Sequence, residues 1–391
     1  MMWHTITYVM IFIISLFIIV DFYIHFYIWQ SRIKIGRIND PEIWKEAIKK
    51  RAISWLYDTP TVKLTDNNRL LLWDMINGNY LRPTIQVWQK ASLLIGLTDY
   101  AVRNNDKLLE QQLTFYVQSL FTSIGTWKIP PKESDWIMLS HAVIRIPWID
   151  ITLYHPAFKE SLDLLYSLQG EDGTIAYKSH VKEFRFVDTI GFVCPFLALY
   201  AEKFKDDAAL DMALDQWDLF HQYGMMTGGG IPCHTYHVAT KIPVGLFGWG
   251  RGLGWYSYGL LELYHSLPEN HPRKYEIEAA LCAFVKAALP FQHSDGSWSW
   301  LLFDSKVQKD SSITAVMGWV LTHLPQSLRT EETTKAAEQC QRYLQKVTRR
   351  NGAIDFSQGD TKGIGVYSQT FDVLPFTQGF ALRSISGLYR Y

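Results

Sequence analysis

PEIWKEAIKKRAISWLYD, residues 41–58, opens with Pro41 at a first-helical position and repeats apolar residues at helical spacing through Trp44, Ala47, Ile53 and Leu56. The same pattern recurs near 83–103, 106–122, 134–146, 157–168, 187–204, 207–221, 251–266, 274–290, 311–325, 331–348 and 373–389, with a shorter piece near 66–76. The segments come in pairs separated by Gly- or Pro-bearing loops. Strand signals are few: Gly173–Tyr177 and Trp298–Phe303 read as hairpin arms or extended loops. About a dozen helices with no composition break predict one all-α domain over 38–391, an α/α toroid of six hairpins, although no clear sequence repeat marks it. In such a toroid the inner helices ring a central cleft and the loops at one end carry the chemistry.

Upstream, Ile6–Trp29 is apolar almost throughout, long enough for one tilted membrane span. No charged residue precedes it and no small-residue cleavage site follows, so an uncleaved anchor over 1–37 is expected. Arg32, Lys34, Arg37, Lys45, Lys49, Lys50 and Arg51 all follow the span, and that bias places the large domain on the cytoplasmic face. Asp21 and His25 stand four apart near the end of the span. They fit either an interfacial position, beside an aromatic belt of Tyr23, Tyr27 and Trp29, or an intramembrane polar pair.

Composition narrows the function. Thirty-eight basic and 38 acidic residues leave no basic footprint for nucleic acid, and 48% hydrophobic residues exclude disorder. Tryptophan, at 15 residues, stands at about two to three times its ordinary share. Large core residues and a membrane belt would explain it, and so would a ring-lined sugar cleft. Cys194, Cys233, Cys282 and Cys340 are widely spaced, unlike a zinc site or a disulfide framework, and read as buried thiols.

Three regions look chemical. In the first, His234 and His237 precede WGRGLGW (249–255). Glycines 248, 250, 252 and 254 would let backbone approach a ligand, Trp249 and Trp255 could stack on it, and Arg251 could hold a carboxylate. GRGLGW is no dinucleotide fingerprint, because no strand precedes it. His234-x-x-His237 lacks a third metal ligand. In the second, Asp310-Ser311-Ser312 starts a helix, which capping alone would explain. In the third, Asp135 and Asp188 each open an apolar helix. Capping is again the plain reading, but the neighbours Phe184, Phe186, Val187, Ile190 and Phe192 imply that Asp188 is buried and its pKa raised.

VDTIGFVCPFLALYA (187–201), CHTYH followed by WGRGLGW, DSSITAVMGWVL and the closing FTQGFALRS, in this order, resemble the unsaturated glycuronyl hydrolases of glycoside hydrolase families 88 and 105, the rhamnogalacturonyl enzymes of the latter most of all. The resemblance covers about 41–390 and implies an (α/α)6 barrel without a cofactor. It implies an oligosaccharide substrate whose non-reducing end is a 4,5-unsaturated uronate. By resemblance Asp188 falls on the general acid, Asp135 on the second active-site aspartate, His234 on the loop histidine, and Trp249 and Arg251 on the substrate-facing pair. Two departures put the substrate in question: His237 stands where the family usually has an acid, and Ser312-Ile313-Thr314 replaces Glu-Thr-Ser. An anchored domain serving polysaccharide assembly or trimming at a membrane, and a catalytically silent sugar-binding barrel, are the competing expectations.

Overall fold

The computed structural model describes residues 2–81 and 87–387. Its helices are α1 (Met2–Arg32), α2 (Pro41–Tyr57), α3 (Leu71–Ile76), α4 (Val87–Asn104), α5 (Lys107–Gln118), α6 (Ile137–Ile144), α7 (His155–Leu168), α8 (Val187–Phe204), α9 (Asp207–Tyr223), α10 (Gly250–Ser266), α11 (Lys274–Ala288), α12 (Ser311–His323), α13 (Glu331–Lys346) and α14 (Pro375–Gly387). The expected helix starting at 83 and the one ending at 389 run partly outside the described residues.

Local chemistry sets the boundaries. Asp40 accepts hydrogen bonds from the backbone N–H of Glu42 and Ile43, both at 2.9 Å, with Pro41 behind it. Asp106, Asp206 and Asp310 cap α5, α9 and α12 in the same way. Thr330 and Thr333 close a reciprocal box on α13.

Helices α4, α6, α8, α10, α12 and α14 each pack on the next, and α14 closes on α4, so six inner helices form a ring. Helices α5, α7, α9, α11 and α13 pack outside their inner neighbours, and α2 covers α14 and α4 as the sixth outer member. The expected (α/α)6 architecture is therefore present, with α2 completing the last hairpin. Inner helices approach closely where side chains vanish: a Cβ on Gly259 would strike the Ile190 carbonyl, and one on Gly379 the Ser92 carbonyl.

The expected hairpin arms are isolated bridges in otherwise irregular loops, Gln169 to Ile175 in the first and Ser299 to Lys309 and Trp249 to Leu301 in the second. The regular strands lie elsewhere. β1 (Phe184–Phe186), β2 (Cys233–His237) and β3 (Pro243–Phe247) form an antiparallel sheet that pairs Phe186 with Thr235, while β4 (Ser357–Gln358) pairs with β5 (Phe371–Asp372). Too short to show a period of two, these strands carry no sequence signal of their own.

At the end of the ring opposite the starts of α8 and α10, Arg145 bonds Asp99 at 2.5 Å. Arg383 bonds Asp99 at 2.8 Å and Glu262 at 2.6 Å, tying α4, α10 and α14. Burial would raise the carboxyl of Glu262, but Arg383 and Arg145 hold it well below its usual range.

Helix α1 is apolar (mean hydropathy 2.4 over its best window) and has no buried residue, yet its second half is engaged by the domain. Asp21 accepts from the backbone N–H of Leu70 and Leu71 at 2.7 and 2.9 Å. His25 Nε2 lies 2.7 Å from the Asn68 carbonyl, and Arg32 grips both oxygens of the buried Asp355. Asp21 and His25 are thus partnered by residues 68–71, not by each other.

Candidate active site

The starts of the inner helices converge on one end of the ring, and there a cavity of about 480 Å³ opens. Its floor is aromatic. Phe192 lies 4.4 Å from Trp255 and 6.1 Å from Tyr177 between ring centroids, and Trp88 meets Trp255 at 5.6 Å. Lys178, His180 and Val181 form part of the wall, as do residues 360–364.

Asp188 lines this cavity from the second position of α8. Phe186, the residue at the helix cap, offers no side-chain cap, and Asp188 Oδ2 is buried without a hydrogen-bond partner among the described residues. Burial pushes its carboxyl up to about 7; the charges of Asp360 and Asp135 add to this, against its own backbone amide and Arg251. Capping is therefore not what Asp188 does. Asp310, by contrast, accepts from the backbone of Ser312 and Gln358, as a structural cap should.

Asp135 sits in a 3-10 turn (Ser134–Trp136) that leads into α6 and is buried, with Oδ1 unpartnered among the described residues. Burial and then Glu133 and Asp360 raise it to about 7, against Lys178. It is not part of the cavity wall, but its charge reaches Tyr177, which is: after burial, Asp135 helps hold that phenol well above its ordinary pKa.

The sheet delivers His234. A bulge between Cys233 and Thr235 breaks the β2–β3 register there. The ring lies 4.8 Å from Trp249, 5.3 Å from Tyr367 and 5.5 Å from Phe186. Its Nε2 is 3.9 Å from Asp188 Oδ2, and burial lowers its pKa to about 4, so it faces the carboxyl as a neutral imidazole. His237 is not brought to the site. It is absent from the cavity wall and bonds Thr240 Oγ1 at 3.0 Å, packed against Phe184. The two histidines are consequently not neighbours around a common metal position.

Trp249 and Arg251 open α10, both lining the cavity. Trp249 Nε1 donates to Gln358 Oε1 at 2.9 Å. Arg251 donates through Nη2 to the carbonyls of Gln358 and Gly359, while Nε and Nη1 have no hydrogen-bond partner among the described residues, Nη1 standing 3.9 Å from Asp360. Unspent donors on a buried guanidinium suit a carboxylate ligand. Three of the glycines around them serve packing, not ligand approach: a Cβ on Gly248 would press on Phe303, one on Gly250 on the Ser299 carbonyl and one on Gly252 on Trp249, while Gly254 has ordinary room beside Val316.

Sequence reasoning missed Asp360, Lys178, Trp88 and Tyr367. A signal existed for Asp360. SQGDTKGIGVYSQTFD (357–372) is a long non-helical stretch between α13 and α14, and connections of that length are commonly functional.

None of the curated proteins matches the chain. Among solved structures it is similar to a possible member of family 105 from Salmonella enterica serovar Paratyphi A, with TM-score 0.74, 16% identity, 88% of this chain and 93% of that one covered. It is also similar to an unsaturated glucuronyl hydrolase responsible for the degradation of glycosaminoglycan, from Bacillus sp. GL1 (TM-score 0.65, 16% identity, 88% and 95% covered). At such identity these likenesses speak for the fold alone. The family model for Glycosyl Hydrolase Family 88 matches residues 47–385, nearly the whole barrel that carries the cavity, and the chain belongs to that family.

Proposed function

We propose that the barrel hydrolyses an oligosaccharide ending in a 4,5-unsaturated uronate, with Asp188 as general acid. The observation that carries this reading is the Asp188 carboxyl itself: buried, lining the cavity, unpaired on Oδ2, and raised to about 7 by burial first. A large fraction of such a group is still protonated at neutral pH, whereas an ordinary carboxyl is almost wholly ionised there, and an acid is what a vinyl ether needs.

In the proposed reaction the Asp188 proton goes to C4 of the sugar and C5 becomes oxocarbenium-like. The carboxylate left behind takes a proton from water as its oxygen bonds to C5. The resulting hemiketal opens and the neighbouring sugar is released. One residue thus serves as acid and then base, unlike the paired carboxylates of ordinary glycosidases. Asp135 disfavours ionisation of Asp188 through its charge. Arg251 binds the uronate carboxylate with the donors it has free, His234 offers a neutral imidazole beside the acid, and Trp249 and Trp255 face the ring. His237 has no part in this reading.

Helix α1 is proposed as an uncleaved membrane anchor, with the barrel on the cytoplasmic side as the basic flank directs. The test of activity is loss of the ultraviolet absorbance of the conjugated enoate when the protein meets lyase-generated oligosaccharides of pectic, alginate and glycosaminoglycan origin. Binding without turnover across all three would favour the silent barrel.

A further inference from the structure

The lower half of α1 is not free helix. Phe17, Val20, Asp21, Ile24 and Ile28 are half-buried at helical spacing, while Phe22, Tyr23, Phe26, Tyr27 and Trp29 between them stay exposed. One face of α1 therefore lies along the domain from Phe17 onward, held by Asp21, His25 and Arg32. Only the stretch before Phe17, about 22 Å of helix at the α-helical rise, stands clear of it. A bilayer's hydrocarbon core is about 30 Å thick. If α1 spans a bilayer, the part of the domain packed on it cannot lie wholly outside the lipid.

That part is α3, and it is built inside out. Its one acid, Asp74, is turned inward, where both oxygens accept from Asn67 Nδ2, and Leu71 is buried beside it. Leu70, Trp73 and Ile76 point outward at 59%, 58% and 65% exposure, with Met75 and Leu81 also exposed. Nowhere else on the described domain do five large apolar side chains stand exposed within twelve residues. At the start of α3 the N–H groups of Leu70 and Leu71 are held by Asp21 and that of Trp73 by the Leu70 carbonyl, which lowers the cost of taking this turn out of water.

We propose that α3 is a membrane-inserted element: beside the aromatic face of α1, Leu70, Trp73 and Ile76 enter the boundary between headgroups and acyl chains, seating the barrel on the lipid surface. The proposal rests on the reading of α1 as an anchor. The segment just before α3 also reaches the cavity rim. Asp66 accepts from Ser368 Oγ and the Gln369 amide and pairs with Lys362, a cavity-wall residue, at 2.7 Å. Seating α3 in lipid therefore holds the cavity at a fixed attitude to the membrane.

The full chain carrying Cys282→Ser, which leaves only buried thiols, is given single cysteines by Trp73→Cys, Ile76→Cys, Phe12→Cys or Tyr275→Cys. Each is labelled with an environment-sensitive fluorophore and reconstituted in vesicles of neutral and anionic phospholipid, with nitroxides placed high on the acyl chains. Phe12 reports the anchor, and Tyr275, exposed on α11, reports water. The proposal predicts that labels at 73 and 76 are quenched as strongly as at 12, and at 275 not at all. Quenching at 12 with 73 and 76 behaving like 275 would overturn the insertion of α3 and leave the anchor standing. No quenching at 12 would remove the anchor reading and the proposal together.

Discussion

Asp188 is placed where two opposing influences act on one carboxyl. The first turn of a helix favours the charged form, and its own backbone amide does pull its pKa down. Burial among Phe186, Phe192 and Tyr177 acts the other way and is the larger influence. Between its ordinary pKa and about 7, the folded protein therefore binds a proton that the unfolded chain does not, so stability falls as pH rises through that window. Asp135 contributes in the same direction. Asp188→Asn removes its share of this slope. Thermal unfolding at pH 5 and pH 8 should show the wild type losing more midpoint between the two than the variant does. Trp249→Ala should weaken ligand binding while a carboxylic-acid pH dependence of turnover remains, read as a rise in KM. Much of this site was legible from residue type alone, since an acid surrounded by aromatic residues in sequence must be buried or strained. His237 falls away from the cavity because residues 233–237 form a strand: three apart on extended backbone, His234 and His237 point to opposite faces, and so short a strand carries no period by which to recognise it.

At the level of elements, the inner ring is held at its far end by a charge cluster that no helical period reveals. Asp99, Arg145, Glu262 and Arg383 come from four separated segments, so their meeting depends on closure of the ring. Arg383→Met leaves two buried carboxyls short of their cation and should cost about 3–5 kcal/mol in denaturant unfolding, whereas a change near zero would mean that the carboxyls take up water or protons without penalty. The helices themselves were readable because caps and apolar spacing are local: Asp40, Asp106, Asp206 and Thr330 each mark a boundary within one or two residues. Glycines 248–254 misled for the same reason that Asp360 was missed. What a glycine admits, and which loop reaches the cleft, are tertiary facts. The loop at 357–372 acquires its place through Asp66, Asp310 and Arg32, all distant in sequence.

The whole molecule joins the cavity lined by Asp188 and Arg251 with an apolar helix bound to the domain's flank. The basic residues that follow α1 predict that protease added outside intact cells spares the barrel; digestion there, with cytoplasmic controls intact, would reverse the orientation and favour a secreted, lyase-coupled role. The central claim is that Asp188 protonates an unsaturated uronate. It is tested most directly by following enoate absorbance with an unsaturated uronyl disaccharide, comparing the full chain with Asp188→Asn across pH. The account predicts turnover that falls as pH rises through about 7, as Asp188 loses its proton, and a loss of about 10²–10⁴-fold in the folded variant. Near-wild-type turnover by a folded Asp188→Asn protein would contradict it.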